Sequence, residues 1–139
     1  MSLNLREGVF AELSVNPAIA GVLGTGNDCR LFWQIIDQEI AYPAVAYSIY
    51  NEDQFMSMAQ NSRPTLSEVP VMFESCGYTP AQCEAADIAL YDKLISYSGA
   101  LGSDGPVVQA VLFRTRNAGY DDGTKLYTIT TTYSMFVTL

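Results

Sequence analysis

Apolar and polar positions follow two periods along this chain, one typical of helices and one typical of strands. Leu3–Val15 places apolar side chains four residues apart, which predicts an amphipathic helix because such residues share one helical face. The apolar stripe consists of Leu5, Val9 and Leu13. Asn16-Pro17 then offers a capping side chain and a proline suited to the first helical position. A second, short helix is therefore predicted over Ala18–Leu23.

Strand-forming residues dominate five later segments. Arg30–Ile36 and Ala44–Tyr50 are rich in β-branched and aromatic residues, and the turn-like residues between them predict antiparallel neighbours. Thr65–Tyr78 alternates apolar and polar residues, as a half-buried strand does. Val107–Arg116 and Leu126–Leu139 predict a C-terminal β-hairpin, because the segment between them contains an Asp-Gly turn signal.

The last of these strands has one polar and one apolar face. The polar face comprises Thr128, Thr130, Thr132 and Ser134. The apolar face comprises Ile129, Tyr133, Met135 and Val137. We expect the apolar face to join the core and the threonine face to meet water or another subunit.

The clearest helix in the sequence begins after Thr79. Thr79 is a capping residue, Pro80 suits the first helical position, and Gln82 completes a capping box. The helix is predicted to run to about Tyr97 and to end before Gly99. Its apolar stripe, predicted to lie on the sheet, consists of Cys83, Ala86, Leu90, Leu94 and Tyr97.

The order of these elements predicts an α+β fold, with an antiparallel β-sheet of about four to five strands and helices packed on one face. A length of 139 residues suits a single domain, 1–139. Asn51–Pro64 is polar and lacks periodicity, so it is predicted to be a long loop. In this loop Phe55, Met56 and Met58 form either an adaptable contact surface or an anchor onto the protein's own core.

Composition narrows the class of protein. Hydrophobic residues make up 49% of the chain and charged residues only 16%, which predicts an ordered domain with much uncharged surface, typical of a subunit that binds neighbours. The formal net charge of −8 argues against sequence-specific binding of nucleic acid. Neither a membrane span nor a secretory signal is visible, and three cysteines suit a reducing cytoplasm, so we expect a soluble protein.

The candidate chemistry is sparse. The chain has no histidine, which excludes Ser-His-Asp and Cys-His machinery and zinc sites that need imidazole. The glycines of Gly21–Gly26 precede a predicted strand and lack the lysine and helix of a phosphate loop. Cys76 and Cys83 are interpreted as small buried residues, and Asp121-Asp122 as turn residues. No catalytic residue, cofactor or metal ligand is predicted.

Two arginines of the hairpin complete the candidate contacts. Arg114 and Arg116 are two residues apart, so we expect them to share one strand face, where they meet acidic groups of their own sheet or of an adjacent subunit, or only solvent. The candidate subunit or partner contacts are Phe55, Met56, Met58, Arg114, Arg116, Tyr120, Asp121, Thr128, Thr130 and Thr132.

Four segments, in their order and spacing, resemble the phage tail-completion, or tail-terminator-like, proteins of siphophages and prophages. They are Asn16–Ala20 at the end of the opening helix, Tyr42–Tyr47, Val71–Tyr78 followed by Ala85–Asp87, and Tyr120–Tyr127. The resemblance implies a non-enzymatic ring, usually of six copies, that caps the tail tube and joins it to the head connector. It implies three partners, namely further copies of the chain, the tail tube protein and the head-tail connector protein. It also implies a place at the head-proximal end of the virion tail, after assembly in the host bacterial cytoplasm.

Two alternatives remain open at this point. The first is a head-tail connector or stopper subunit, which is also a small ring-forming protein. The second is a small ligand-binding domain or carboxylate-dependent enzyme that uses a tyrosine such as Tyr91 or Tyr120 in a cleft.

Overall fold

The computed structural model describes residues 2–24, 28–36, 41–49, 53–56, 64–102 and 106–138, of which 2–4, 53–56 and 64–66 are described by backbone alone. The helices are α1 (Ser2–Ser14), α2 (Pro17–Leu23) and α3 (Pro80–Leu94). The strands are β1 (Leu31–Trp33), β2 (Ala44–Ile49), β3 (Asp53–Met56), β4 (Pro64–Gly77), β5 (Gly99–Ala100), β6 (Val107–Asp121) and β7 (Leu126–Thr138). None of the described helices is long and apolar enough to cross a membrane.

The predicted caps of two helices are confirmed. Asn16 Oδ1 accepts hydrogen bonds from the first-turn amides of α2, and Thr79 Oγ1 accepts one from the Gln82 amide. Gln82 Oε1 in turn accepts a hydrogen bond of 2.7 Å from the Tyr78 amide, one residue before the expected partner. Helix α3 ends at Leu94 rather than near Tyr97.

The sheet is larger than predicted and mixed. Its seven strands follow the order β1-β2-β4-β7-β6-β5, with β3 beside β4, and β1 pairs with β2 in parallel. The prediction that these two are antiparallel neighbours is therefore wrong. A strand of three residues is only about 10 Å long, so the ten residues between Trp33 and Ala44 suffice to return the chain to the same end of the sheet.

Two further predictions for the strands need correction. The predicted loop Asn51–Pro64 includes β3, which pairs with β4 in register Asp53↔Glu68, although its four residues have no strand periodicity. Strand β6 continues to Asp121 instead of ending at Arg116, because pairing with β7 holds residues of weak strand propensity in the ladder. The turn of the hairpin is correspondingly short.

One core lies between the helices and one face of the sheet. We call this face, marked by Val71, Phe73, Tyr133 and Met135, the helix face, and the opposite face, marked by Glu74, Thr130 and Thr132, the open face. The helices contribute Leu5, Val9, Leu13, Ile19, Leu23, Ala86, Leu90 and Leu94 to this core. The helices therefore pack on one face, as the amphipathic stripes predicted.

The centre of the sheet is β4, which has neighbours on both sides. On one side β7 pairs with it throughout, and on the other β3 pairs with its first half and β2 with its second half. Among the described residues neither β3 nor β2 pairs with Pro70, so its missing amide hydrogen breaks no described pairing on that side. At the other end a Cβ at Gly77 would lie 2.6 Å from Gln82 Cβ, so glycine permits the close approach of α3.

Candidate functional site

The β6–β7 hairpin holds most of the described candidate contacts, and a β-bulge decides which way they point. The pairing register shifts between Phe113 and Thr115, so one extra residue of β6 lies opposite β7. Arg114 and Arg116 consequently lie on opposite faces, and the prediction that they share a face is wrong. A one-residue insertion reverses every later side chain, and nothing in the local sequence signals it.

Arg116 is on the helix face and binds helix α3. Its Nε atom lies 2.8 Å from Oδ2 of Asp87, which is 5% exposed and also accepts a hydrogen bond of 2.7 Å from Thr131 Oγ1. The guanidinium group lies over the Tyr91 and Phe113 rings, 5.3 and 5.0 Å from their centroids. These contacts fasten the hairpin to the helix layer, so Arg116 has a structural role in the monomer.

Arg114 is on the open face. Its Nη2 atom lies 2.7 Å from Glu68 Oε2, and its Nε donates a hydrogen bond of 2.8 Å to Ser134 Oγ. The hydrogen bond from Arg114 holds the pKa of Glu68 below its ordinary value. The Arg114 side chain is 46% exposed, so part of the guanidinium group is available to a partner.

The predicted threonine row lies along the same open face. Thr128, Thr130 and Thr132 are half-buried and stand opposite Cys76, Glu74 and Met72 of β4. None of the described helices covers them. Hydroxyl groups on a sheet face offer many hydrogen-bond donors and acceptors with little charge, a composition typical of a subunit contact surface.

A groove of about 380 Å³ lies on the open face, beside the hairpin turn. The hairpin contributes Asp121 and Thr128, β4 contributes Glu74 and Cys76, and the segment after β1 contributes Ile35, among other residues. Asp121 Oδ1 accepts a hydrogen bond from the Gly123 amide, which supports its predicted role in the turn.

Cys76 in this groove is not an activated thiol. Burial, with the Glu74 carboxylate beside it, raises the pKa of Cys76 to about 12. The thiol is therefore protonated at neutral pH and is a poor nucleophile. Among the described residues no three histidine, cysteine or carboxylate side chains are grouped closely enough to hold a metal ion.

The other candidate contacts are dispersed. Tyr120 is 47% exposed and packs on Tyr127, with ring centroids 4.7 Å apart, beside the hairpin turn. Phe55 and Met56 belong to β3 by their backbone, and Met58 lies outside the described residues. Thus the structure brings Arg114, Asp121 and the threonines to one face and separates Arg116 from them.

Sequence reasoning missed two parts of this surface. Glu68 and Glu74 are isolated carboxylates in a predicted strand, and only the pairing of β4 with β7 sets them beside Arg114 and the threonine row. Ile35 belonged to a predicted strand, whereas Gln34 has a φ of 68°, which ends β1 and leaves Ile35 exposed. A left-handed glutamine has no recognisable sequence signal.

Comparison with known proteins finds a likeness of fold. A chain in the virion of a native gene transfer agent particle is similar to this chain, with a TM-score of 0.65, and the match covers 97% of this chain and 95% of that chain. The two sequences are 15% identical, so the match shows a common fold. No protein-family model and no curated protein sequence matches the chain.

Proposed function

We propose that this chain is a structural, non-enzymatic subunit of a phage-type virion, which forms a ring at the head-proximal end of the tail, caps the tail tube and joins it to the head connector. The observation that supports this most is the match, over nearly the full length of both chains, to a chain of a virion. It agrees in kind with the resemblance of four sequence segments to tail-completion proteins.

The surface of the chain suits a ring subunit. A cyclic ring requires two unlike surfaces that meet head to tail, and such contact surfaces are polar with few charges at their centre. The open face offers a threonine row with Arg114 at its side, whereas the hairpin end offers exposed tyrosine. The net charge of −8 per copy gives a ring that DNA can pass without adhering, since phosphates are repelled by carboxylates.

Binding to separated virion parts tests the proposed position. Tails without heads and DNA-filled heads without tails would be prepared from the phage or prophage that encodes this chain, and each would be sedimented with the purified tagged protein. We expect the protein to sediment with tails and, in electron micrographs, to label one tail end. Binding to filled heads alone would favour a connector or stopper subunit, and binding to neither would contradict the proposal.

A further inference from the structure

Strand β6 presents a long free edge. Its neighbour β5 pairs only with Val107 and Val108, and no other described strand lies on that side. Bulges interrupt the first half of β6, but Thr115–Asp121 is regular, with no bulge, proline or lysine. Proteins usually protect such an edge, because its amide and carbonyl groups bind any strand that approaches. An edge without protection is therefore expected to be covered by a partner.

Strand β6 carries a large share of the exposed apolar side chains. Among the described residues nine large apolar side chains are exposed, and four of them belong to β6. The four are Val107, Leu112, Phe113 and Tyr120. The most exposed of the nine, Ile35 at 77%, follows β1 in the chain and lines the open-face groove together with Asp121. The exposed apolar side chains of β6 favour the covering of this strand by a partner.

The β1 end has features that match β6. Within the described residues β1 has a strand on one side only. Beside it a groove of about 280 Å³ is lined by Trp33 and Phe10 from the helix-face side and by Glu7, which makes no ion pair among the described residues. Arg6 lines the same groove, with its guanidinium group over the Trp33 ring, so this groove presents apolar surface and both charges to a partner.

Strand direction also suits a contact between the two ends. The pairings fix the direction of each strand across the sheet. Strands β1, β2 and β7 run in one direction, and β4 and β6 run in the opposite direction. A second sheet placed edge to edge in the same orientation therefore sets its β1 antiparallel to β6 of the first. Antiparallel pairing is the slightly more stable ladder.

We propose that the β6 edge Thr115–Asp121 of one copy pairs with β1 of a second copy, so that the sheet continues from subunit to subunit. The inference rests on the proposed ring, because a ring needs a contact between two different edges, whereas pairing of β6 with β6 would close a dimer. The partner is thus a second copy of this chain, bound through strand addition.

Cysteine cross-linking tests this contact. Phe32 lies opposite Ala46 on the open face of β1, and Asn117 lies opposite Thr130 on the open face of β6. F32C and N117C would be purified separately, mixed at high micromolar concentration and treated with a short bismaleimide, with T115C as a second β6 position to allow for register. We expect a cross-linked dimer in the mixtures and none with either variant alone. The unsubstituted protein is the background control, since its three cysteines are buried.

Matched lysine variants give an independent readout by light scattering. N117K places a charge beside the free edge, and we expect it to abolish the oligomer. At a dilution where both proteins are monomeric, the melting temperature should be unchanged. I88K on α3, where the isoleucine is 56% exposed, is the matched control and should keep the oligomer.

The outcomes separate this inference from the proposed function. Self-cross-linking of N117C, an oligomer without the F32C–N117C product, or a chain that stays monomeric at every concentration would each overturn the β6–β1 contact. The proposed function falls only if the protein also fails to bind tails.

Discussion

Arg116 and Arg114 differ by two positions on one strand, yet they belong to two different regions of the molecule. Arg116 faces the helices and pairs with Asp87, a carboxylate that is almost fully buried. Arg114 faces away from them and pairs with Glu68 on the open face, where both side chains meet solvent. The same residue type thus makes a structural contact on one face and an accessible one on the other.

This contrast extends over the whole sheet. The helix face is covered by apolar side chains of three helices and five strands, so its residues are committed to folding. The open face has half-buried threonines, the carboxylates of Glu68 and Glu74, and a groove. The described fold requires none of these for its core. Function is therefore expected to reside on the open face and the sheet edges, and stability on the helix face.

The largest expected effect is on the helix face. Leu90→Ala removes a side chain that is 1% exposed within the core, and we expect it to lower the free energy of unfolding by about 2–5 kcal/mol. Ile88→Ala, two residues away on the exposed side of α3, should change it by less than about 0.5 kcal/mol. Urea unfolding followed by circular dichroism measures both. Equal losses would mean that α3 does not pack on the sheet through this stripe.

Arg116→Ala should have the next largest effect. Among the described residues it leaves the Asp87 carboxylate with Thr131 as its remaining partner. Because the Arg116 side chain is itself 40% exposed, we expect a loss of about 1–3 kcal/mol. In the Asp87→Asn background the same substitution should cost less, since no buried charge is left unpaired. Additive losses in this double-mutant cycle would contradict a direct interaction.

Much of the fold could be predicted from the sequence, because its determinants are local. The caps Asn16 and Thr79 and the apolar alternation of Thr65–Tyr78 each need only a few neighbouring residues, and each is found as predicted. The helical stripes are also found, except that α3 ends before Tyr97. The β6–β7 hairpin was also predicted, although its first strand is longer. These elements agree with local propensity and with tertiary packing alike.

The rest depends on contacts between distant residues. The parallel pairing of β1 with β2 and the bulge after Phe113 depend on how the strands pair across the whole sheet. Both decide which side chains share a surface. The open-face set of Glu68, Glu74 and Arg114 could not be assembled without that bulge and the register of β4 with β7. Threonine periodicity alone was sufficient to predict one polar row.

Alkaline pH should weaken the helix face. Burial raises the pKa of Tyr47 from 10.0 to about 12, and its hydroxyl donates a hydrogen bond of 3.0 Å to the Arg6 carbonyl. A raised pKa in the folded state gives stability that is present below about pH 10 and is lost as the pH rises towards 12. Tyr47→Phe should reduce this loss by at most about 3 kcal/mol, since each pKa unit corresponds to about 1.4 kcal/mol.

Thermal melts at pH 8 and pH 11 of Tyr47→Phe and the unsubstituted protein measure this difference. At pH 8 the two proteins differ in stability only by the lost hydrogen bond. The change in that difference between pH 8 and pH 11 therefore reports the ionisation of Tyr47. An identical decline in both proteins would assign the alkaline loss to other buried groups.

The smallest effect is expected for Arg114→Ala on the open face. Exposed ion pairs contribute about 0–1 kcal/mol, so the variant should unfold almost as the unsubstituted protein does at neutral pH. Because the pKa of Glu68 is lowered, its pair adds stability above about pH 4.5 that is lost as the pH falls, and the variant should lack this part of the acid response. Melting curves between pH 3 and pH 7 measure it. A loss as large as that of Arg116→Ala would show that the open face also supports the fold, and the division between a stabilising face and a binding face would then fail at the residue pair that defines it.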